Sequence, residues 1–279
     1  MSVSTENPAP PLLSSPGSSR PVQEVVVTLA FAPVANILVR ALQPTRVSPP
    51  AVVVAHGLVG LTAAIIIGLE ALVLAAILLQ VRTLLDNVDG RLARVTGRVT
   101  LTGRYLDTVV DFLVNAALFA VLGWVTGEPL LALAGFVALA LVLTVDFNVS
   151  QLYAEAHARA VEAPAPTGGV AERALGGVYH AVFAPQDRLA RTVVTRRLDR
   201  VLEGESDPMR IRDAMLAYHD RATVSILANL GLSTQLVVLG ACLVLDAPAV
   251  YLWLTLGSLA LLPVLQLRRE RMARRALAT

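Results

Sequence analysis

The stretch LLDNVDGRLARVTGRVTLTGRYLDTVVDFLVN, Leu84 to Asn115, sets four carboxylates between two strongly apolar segments. Asp86 and Asp89 are spaced i, i+3 and Asp107 and Asp111 i, i+4, so each pair shares one helix face. Ionisable groups at membrane depth are costly and mark function by default. Both pairs are expected at the same ends of adjacent antiparallel helices, where all four carboxylates converge and repel one another. A divalent cation relieves that repulsion. With oxygen donors and no histidine or cysteine expected nearby, magnesium or manganese suits the cluster better than zinc. Two such ions would clamp a pyrophosphate and stabilise phosphoryl transfer. The small residues Gly90, Ala93 and Gly103 lie on or near the aspartate faces and let a ligand approach the backbone. Arg94 is placed to contact phosphate or support the carboxylates.

Composition places this stretch in a membrane protein. Of the 279 residues, 55% are hydrophobic and only 16% charged, where a soluble domain carries nearer a quarter charged. The single cysteine, Cys242, excludes a disulfide framework and a cysteine metal site. Every basic side chain is arginine and the net charge is only +2. That argues for loop charge beside a membrane and against a nucleic-acid partner.

The expected architecture is all-α and polytopic, with about six transmembrane helices and an interfacial N-terminal helix. Residues 1–22, Pro- and Ser-rich, are expected to be disordered. Residues 23–48 hold the interfacial helix, over Val27 to Pro44. Residues 49–153 carry the first four spans, near 50–68, 69–89, 103–124 and 130–153, with the motif at 86–111. Residues 154–220 form a long helical loop, broken by EAPAPTGG (Glu162 to Gly169). Leu189, Val193, Leu198, Val201 and Leu202 recur there at helical spacing, predicting a helix against the membrane surface or the protein's own face. Residues 221–268 hold the last two spans, near 222–245 and 248–267, and 269–279 a basic tail. The links GLE, VTGEP and LDAP lack arginine, whereas every other connection carries it. The positive-inside rule then puts both termini and the motif on the cytoplasmic side of the cell's inner (plasma) membrane.

The pattern Asp86-x2-Asp89-Gly90-x2-Ala93-Arg94-x8-Gly103-x3-Asp107-x3-Asp111 resembles the signature of the CDP-alcohol phosphotransferase family at every fixed position. Eight specified residues at fixed spacing make a specific signal. The resemblance implies an enzyme that transfers the substituted phosphate of a CDP-linked lipid, such as CDP-diacylglycerol, to a small polar alcohol, releasing CMP. Asp86, Asp89 and Asp107 would hold the metals. Asp111 would complete that set and act as general base. Asp86, Gly90, Ala93, Arg94 and Gly103 would line the CDP pocket, and the protein would be a homodimer. One departure is Pro50, which stands where many members carry asparagine.

The acceptor alcohol is less legible. LDTVVDFLVN (Leu106 to Asn115) lacks the proline and lysine of the phosphatidylglycerophosphate type, and the Phe-Gly run of the phosphatidylserine type is absent. Inositol or inositol phosphate is the acceptor considered, with Arg104, Asn115, Asp146, His157, Arg159 and Arg221 as candidate contacts. His219 and Asp220 read as a helix start. Three rivals compete with the transferase: a magnesium-dependent prenyltransferase, a cation-coupled transporter and an inactive binding relative. The intact glycine and arginine positions weigh against the first. Repeated halves with broken helices, usual in the second, are not visible. All four aspartates are present, against the third.

Overall fold

The structure, a computed structural model, describes residues 21–159 and 164–278. Most of the expected disorder at residues 1–22 therefore lies outside the described residues. A π-helical turn (Val27–Phe31) leads into α1 (Ala32–Leu42). There follow α2 (Pro49–Gly68), α3 (Leu72–Val95), α4 (Leu101–Thr126) and α5 (Pro129–Ala156). The intervening segment forms α6 (Val170–Val178), a second π-helical turn (Tyr179–Phe183), α7 (Ala184–Leu202) and α8 (Pro208–Tyr218). The chain closes with α9 (Arg221–Ala228), α10 (Leu232–Val244), α11 (Pro248–Ser258) and α12 (Leu261–Leu277).

Among the described residues, five helical stretches are long and apolar enough to cross a membrane: Pro49–Gly68, Leu101–Thr126, Pro129–Ala156, Pro208–Val244 and Pro248–Leu277. The sequence reading expected about six. The difference is α3, which from its middle onward carries Arg82, Asp86, Asp89, Arg91 and Arg94, charges that lower its hydropathy. Burial between neighbours accommodates those charges. The main core joins α2, α3, α4, α5, α10 and α11 through residues such as Ile67, Leu79, Leu118, Leu139, Leu239 and Leu252.

Helix α2, not a direct contact between α3 and α4, organises the motif. It packs against both far more extensively than they pack on each other, which corrects the expectation that the two motif helices are neighbours. Glycines make the approach possible. A Cβ at Gly57 would lie 2.5 Å from Val110 Cγ1, and one at Gly60 2.5 Å from Val114 Cγ1 and 2.8 Å from Arg82 Cδ. In lipid, where apolar burial does not drive helices together, such small residues let backbones meet. The turn between α3 and α4 is equally determined. Gly97 adopts φ +64, and the Arg98 amide donates to the Ala93 carbonyl at 2.7 Å, an αL closure that suits glycine. Thr100 Oγ1 then accepts from the Gly103 amide at 3.1 Å and caps α4.

The fifth expected span is not one helix. It breaks between α9 and α10, and Glu24 explains where. Its buried carboxylate accepts from the Thr234 amide (2.6 Å) and hydroxyl (2.7 Å), while the Val25 amide donates to Asn229 Oδ1 at 2.9 Å. The lead-in to α1 thus caps α10. On α1, Ala35 and Val39 pack against Val88 and Leu92 of α3, while Val34 and Ile37 stay exposed, as does Leu29 in the preceding turn, the two-sided pattern expected of an interfacial helix. The basic tail is also folded: α12 packs on α8, with Arg269 stacked 4.1 Å over the Tyr218 ring.

The long segment after α5 folds back onto the protein. Ala165 exchanges backbone hydrogen bonds with Val99 and Leu101, both at 2.9 Å. Helix α6 packs on α4 and α7 on α5. Val194, Leu198 and Val201 are buried with Tyr153 and Tyr218. Leu189 and Val193, placed on the same stripe by the periodicity, are exposed instead.

Candidate active site

Three helices deliver the site. On α3, Arg82, Asp86 and Asp89 follow at helical spacing; on α4, Asp107, Asp111 and Asn115 do the same. Helix α2 inserts His56 between them. Its Nε2 lies 3.2 Å from Asp89 Oδ2 and 3.5 Å from Asp107 Oδ1. One ligand-type atom from each of His56, Asp86, Asp107 and Asp111 lies within 4.8 Å of all the others. Arg82, fully buried, places Nη2 2.5 Å from Asp111 Oδ1.

The donor set fits a divalent cation. Asp89 Oδ2 and Asp107 Oδ1 are buried and make no well-formed hydrogen bond among the described residues; the His56 imidazole is their ion-pair partner, and a divalent cation would relieve the mutual repulsion of the converging carboxylates. His56 overturns the expectation of oxygen donors with no histidine nearby. A histidine in the apolar run PAVVVAHGLVGL is itself an ionisable group at membrane depth, the signal by which it could have been found. Arg82 carried the same signal one turn before Asp86.

The cluster opens into a cavity of about 470 Å³. Of the expected site residues, Asp89, Gly90, Ala93, Arg94, Gly103, Arg104, Asp107, Asp111 and Asn115 line it. Asp86 belongs to the carboxylate cluster but is not among the residues that line the cavity. Pro49 and Pro50, at the start of α2, line the cavity too. The opposite wall comes from α5, through Phe136, Leu139, Leu143 and Phe147 among others. Arg104 sits 5.4 Å over the Phe147 ring.

Four candidate acceptor contacts are not on this wall. Asp146 is buried but lies off the α5 stripe (136, 139, 143, 147) that faces the cavity. His157 stacks on the Tyr153 ring with centroids 4.1 Å apart, and Arg159 lies over that same ring at 5.3 Å. Arg221 is exposed at the start of α9. Asp220 caps α9 through the Thr223 amide at 3.1 Å, as the helix-start reading had it.

Sequence reasoning missed the roof. Tyr179, Phe183, Gln186 and Asp187, from the segment after α5, complete the lining. The Tyr179 hydroxyl donates to Asp187 Oδ2 at 2.9 Å, and Asn148 Nδ2 donates to Asp187 Oδ1 at 3.0 Å. Burial and the adjoining Asp187 push the Tyr179 hydroxyl up to about 12, so it stays a donor. Phe112 ties the roof to the α5 wall, its ring 5.4 Å from both Phe136 and Phe183.

A 107-residue stretch is 32% identical to the bifunctional IPC transferase and DIPP synthase of Thermococcus kodakarensis, covering 38% of this chain and 24% of that protein. A 79-residue stretch is 34% identical to the archaetidylinositol phosphate synthase of Pyrococcus horikoshii, covering 28% of this chain and 42% of that one. The matched stretches thus span less than half of either relative. The family model described as CDP-alcohol phosphatidyltransferase matches residues 47–195, from the proline start of α2 through the motif to the roof. Since that match takes in more than half of the chain, the protein belongs to the CDP-alcohol phosphatidyltransferase family.

Proposed function

We propose that the protein transfers the substituted phosphate of a CDP-linked lipid, such as CDP-diacylglycerol, to a small polar alcohol and releases CMP. The observation that carries this is the meeting of Asp89, Asp107 and Asp111 on one cavity wall with Gly90, Ala93, Arg94 and Gly103. Asp86, Asp89 and Asp107 would hold magnesium or manganese, two ions in this reading, with Asp111 completing the set. When bound, the ions neutralise the diphosphate and the departing CMP. Asp111 takes the proton of the acceptor hydroxyl. The acceptor oxygen then bonds to the lipid-side phosphorus, the bridging P–O bond breaks, and CMP leaves with that electron pair. Arg82 orients Asp111 by holding one of its oxygens. Phe112, Phe136 and Phe183 give the cavity apolar lining, which would disfavour water as a competing acceptor.

Inositol phosphate is the acceptor this reading favours. Arg94, Arg98 and Arg104 line the cavity and suit a phosphate-bearing alcohol, and the name of one relative contains inositol phosphate. Homodimeric assembly, a place in the inner membrane and a cytoplasmic-facing site belong to the same proposal. The test is CMP release by the purified protein from CDP-diacylglycerol, with glycerol phosphate, inositol, inositol phosphate, serine, choline and ethanolamine offered in turn. Metal-dependent release greatest with inositol phosphate is expected. Release with no alcohol of the panel refutes the transferase reading.

A further inference from the structure

Burying a histidine in an apolar helix is unfavourable unless its nitrogens find partners. His56 is fully buried, and among the described residues neither ring nitrogen makes a well-formed hydrogen bond. Its Nε2 points between two buried carboxylate oxygens, Asp89 Oδ2 and Asp107 Oδ1, within ion-pair distance of both but without well-formed hydrogen-bond geometry to either. The spacing is informative. Neighbouring donors on an octahedral ion with bonds of about 2.1 Å stand about 3 Å apart, close to the 3.2 and 3.5 Å seen here. The placement is also rigid. The adjoining Gly57 brings α2 so near α4 that a Cβ would meet Val110 Cγ1 at 2.5 Å. The imidazole is therefore fixed relative to Asp107 by helix packing and not by a mobile loop.

We propose that His56 Nε2 is a ligand of the divalent ion, so that this site is a mixed imidazole–carboxylate centre rather than an all-oxygen one. The proposal rests on the carboxylate metal site described above. It carries a consequence for metal choice. Carboxylate oxygens suit magnesium and manganese alike, but an imidazole nitrogen favours the transition metal. The site therefore ranks manganese above magnesium, and His56 makes much of that difference.

The test is electron spin echo envelope modulation on the full-length protein in detergent, loaded with Mn²⁺ alone. The expected spectrum shows nitrogen coupling to the bound ion, which changes to the ¹⁵N pattern when the protein is grown with ¹⁵N-histidine. That measurement needs no variant. His56→Gln is expected to abolish the coupling and weaken Mn²⁺ binding by at least about tenfold, with a smaller change for Mg²⁺; His157→Gln is expected to leave the coupling intact. Bound Mn²⁺ without nitrogen coupling in the wild type, or coupling that survives His56→Gln, overturns the ligand assignment and leaves the carboxylate site standing. Failure of the wild type to bind Mn²⁺ removes the carboxylate site and the proposal together.

Discussion

Arg82 of α3 reaches Asp111 of α4 at 2.5 Å, passing α2 where Gly60 leaves room for its side chain. A guanidinium with no exposed surface thus holds the carboxylate assigned to take the acceptor's proton. The pair also links α3 and α4, the two helices that carry the halves of the motif and do not pack closely on each other.

Arg82→Met is expected to lower the rate of CMP release by about a hundredfold, the scale on which a misplaced catalytic group acts. Removing one partner of a buried pair is strongly destabilising, but Asp111 is partly exposed, so the variant is expected to fold. Arg82→Lys is expected to recover little, because a lysine lacks the planar fork. A wild-type rate in Arg82→Met contradicts the positioning role.

Gly60→Ala is expected to reduce both thermal stability in detergent and activity. The new Cβ meets Val114 and the Arg82 stem, an overpacking that costs about 1–3 kcal/mol. Val114→Ala in the same chain is expected to restore part of both. Gly257 is the control: a Cβ there would meet nothing within 4 Å, and Gly257→Ala is expected to change neither.

Asp187→Asn and Tyr179→Phe are expected to raise KM for the acceptor several-fold more than KM for the CDP-linked lipid. Burial and Asp187 raise the Tyr179 hydroxyl to about 12. A raised value keeps the neutral, donating form throughout ordinary assay conditions. Acceptor KM is therefore expected to show no Tyr179 ionisation between about pH 7 and 10. Steady-state kinetics with each substrate varied checks both statements.

Glu24→Ala is expected to lower the melting temperature, since α10 loses the carboxylate that accepts from the Thr234 amide and hydroxyl. Loss of a helix cap costs about 1 kcal/mol. Glu24→Gln, which keeps an acceptor oxygen, is expected to retain most of the stability, and thermal unfolding followed by circular dichroism measures both.

Much of this was legible from residue spacing. The i, i+3 and i, i+4 aspartates and the small residues between them marked one helical site, and the apolar runs marked most of the helices. What escaped was non-local. His56 and Arg82 stand inside apolar runs, and only the packing of α2 between α3 and α4 shows that they meet the aspartates. The break before α10 depends on Glu24, more than two hundred residues earlier in the chain. The roof at Tyr179 and Asp187 follows from how α6 and α7 fold back, which periodicity along one helix does not encode. Asp146 failed as a cavity residue for a related reason: distance into α5 located its depth but not its face.

The most direct measurement pairs CMP release with binding in Asp111→Asn, using CDP-diacylglycerol, Mn²⁺ and inositol phosphate. The expected result is turnover lowered at least about a thousandfold, of the order contributed by a positioned general base, with CDP-lipid binding largely preserved. Near-normal CMP release from that variant would contradict the assignment of Asp111 as the base and, with it, the proposed chemistry of the site.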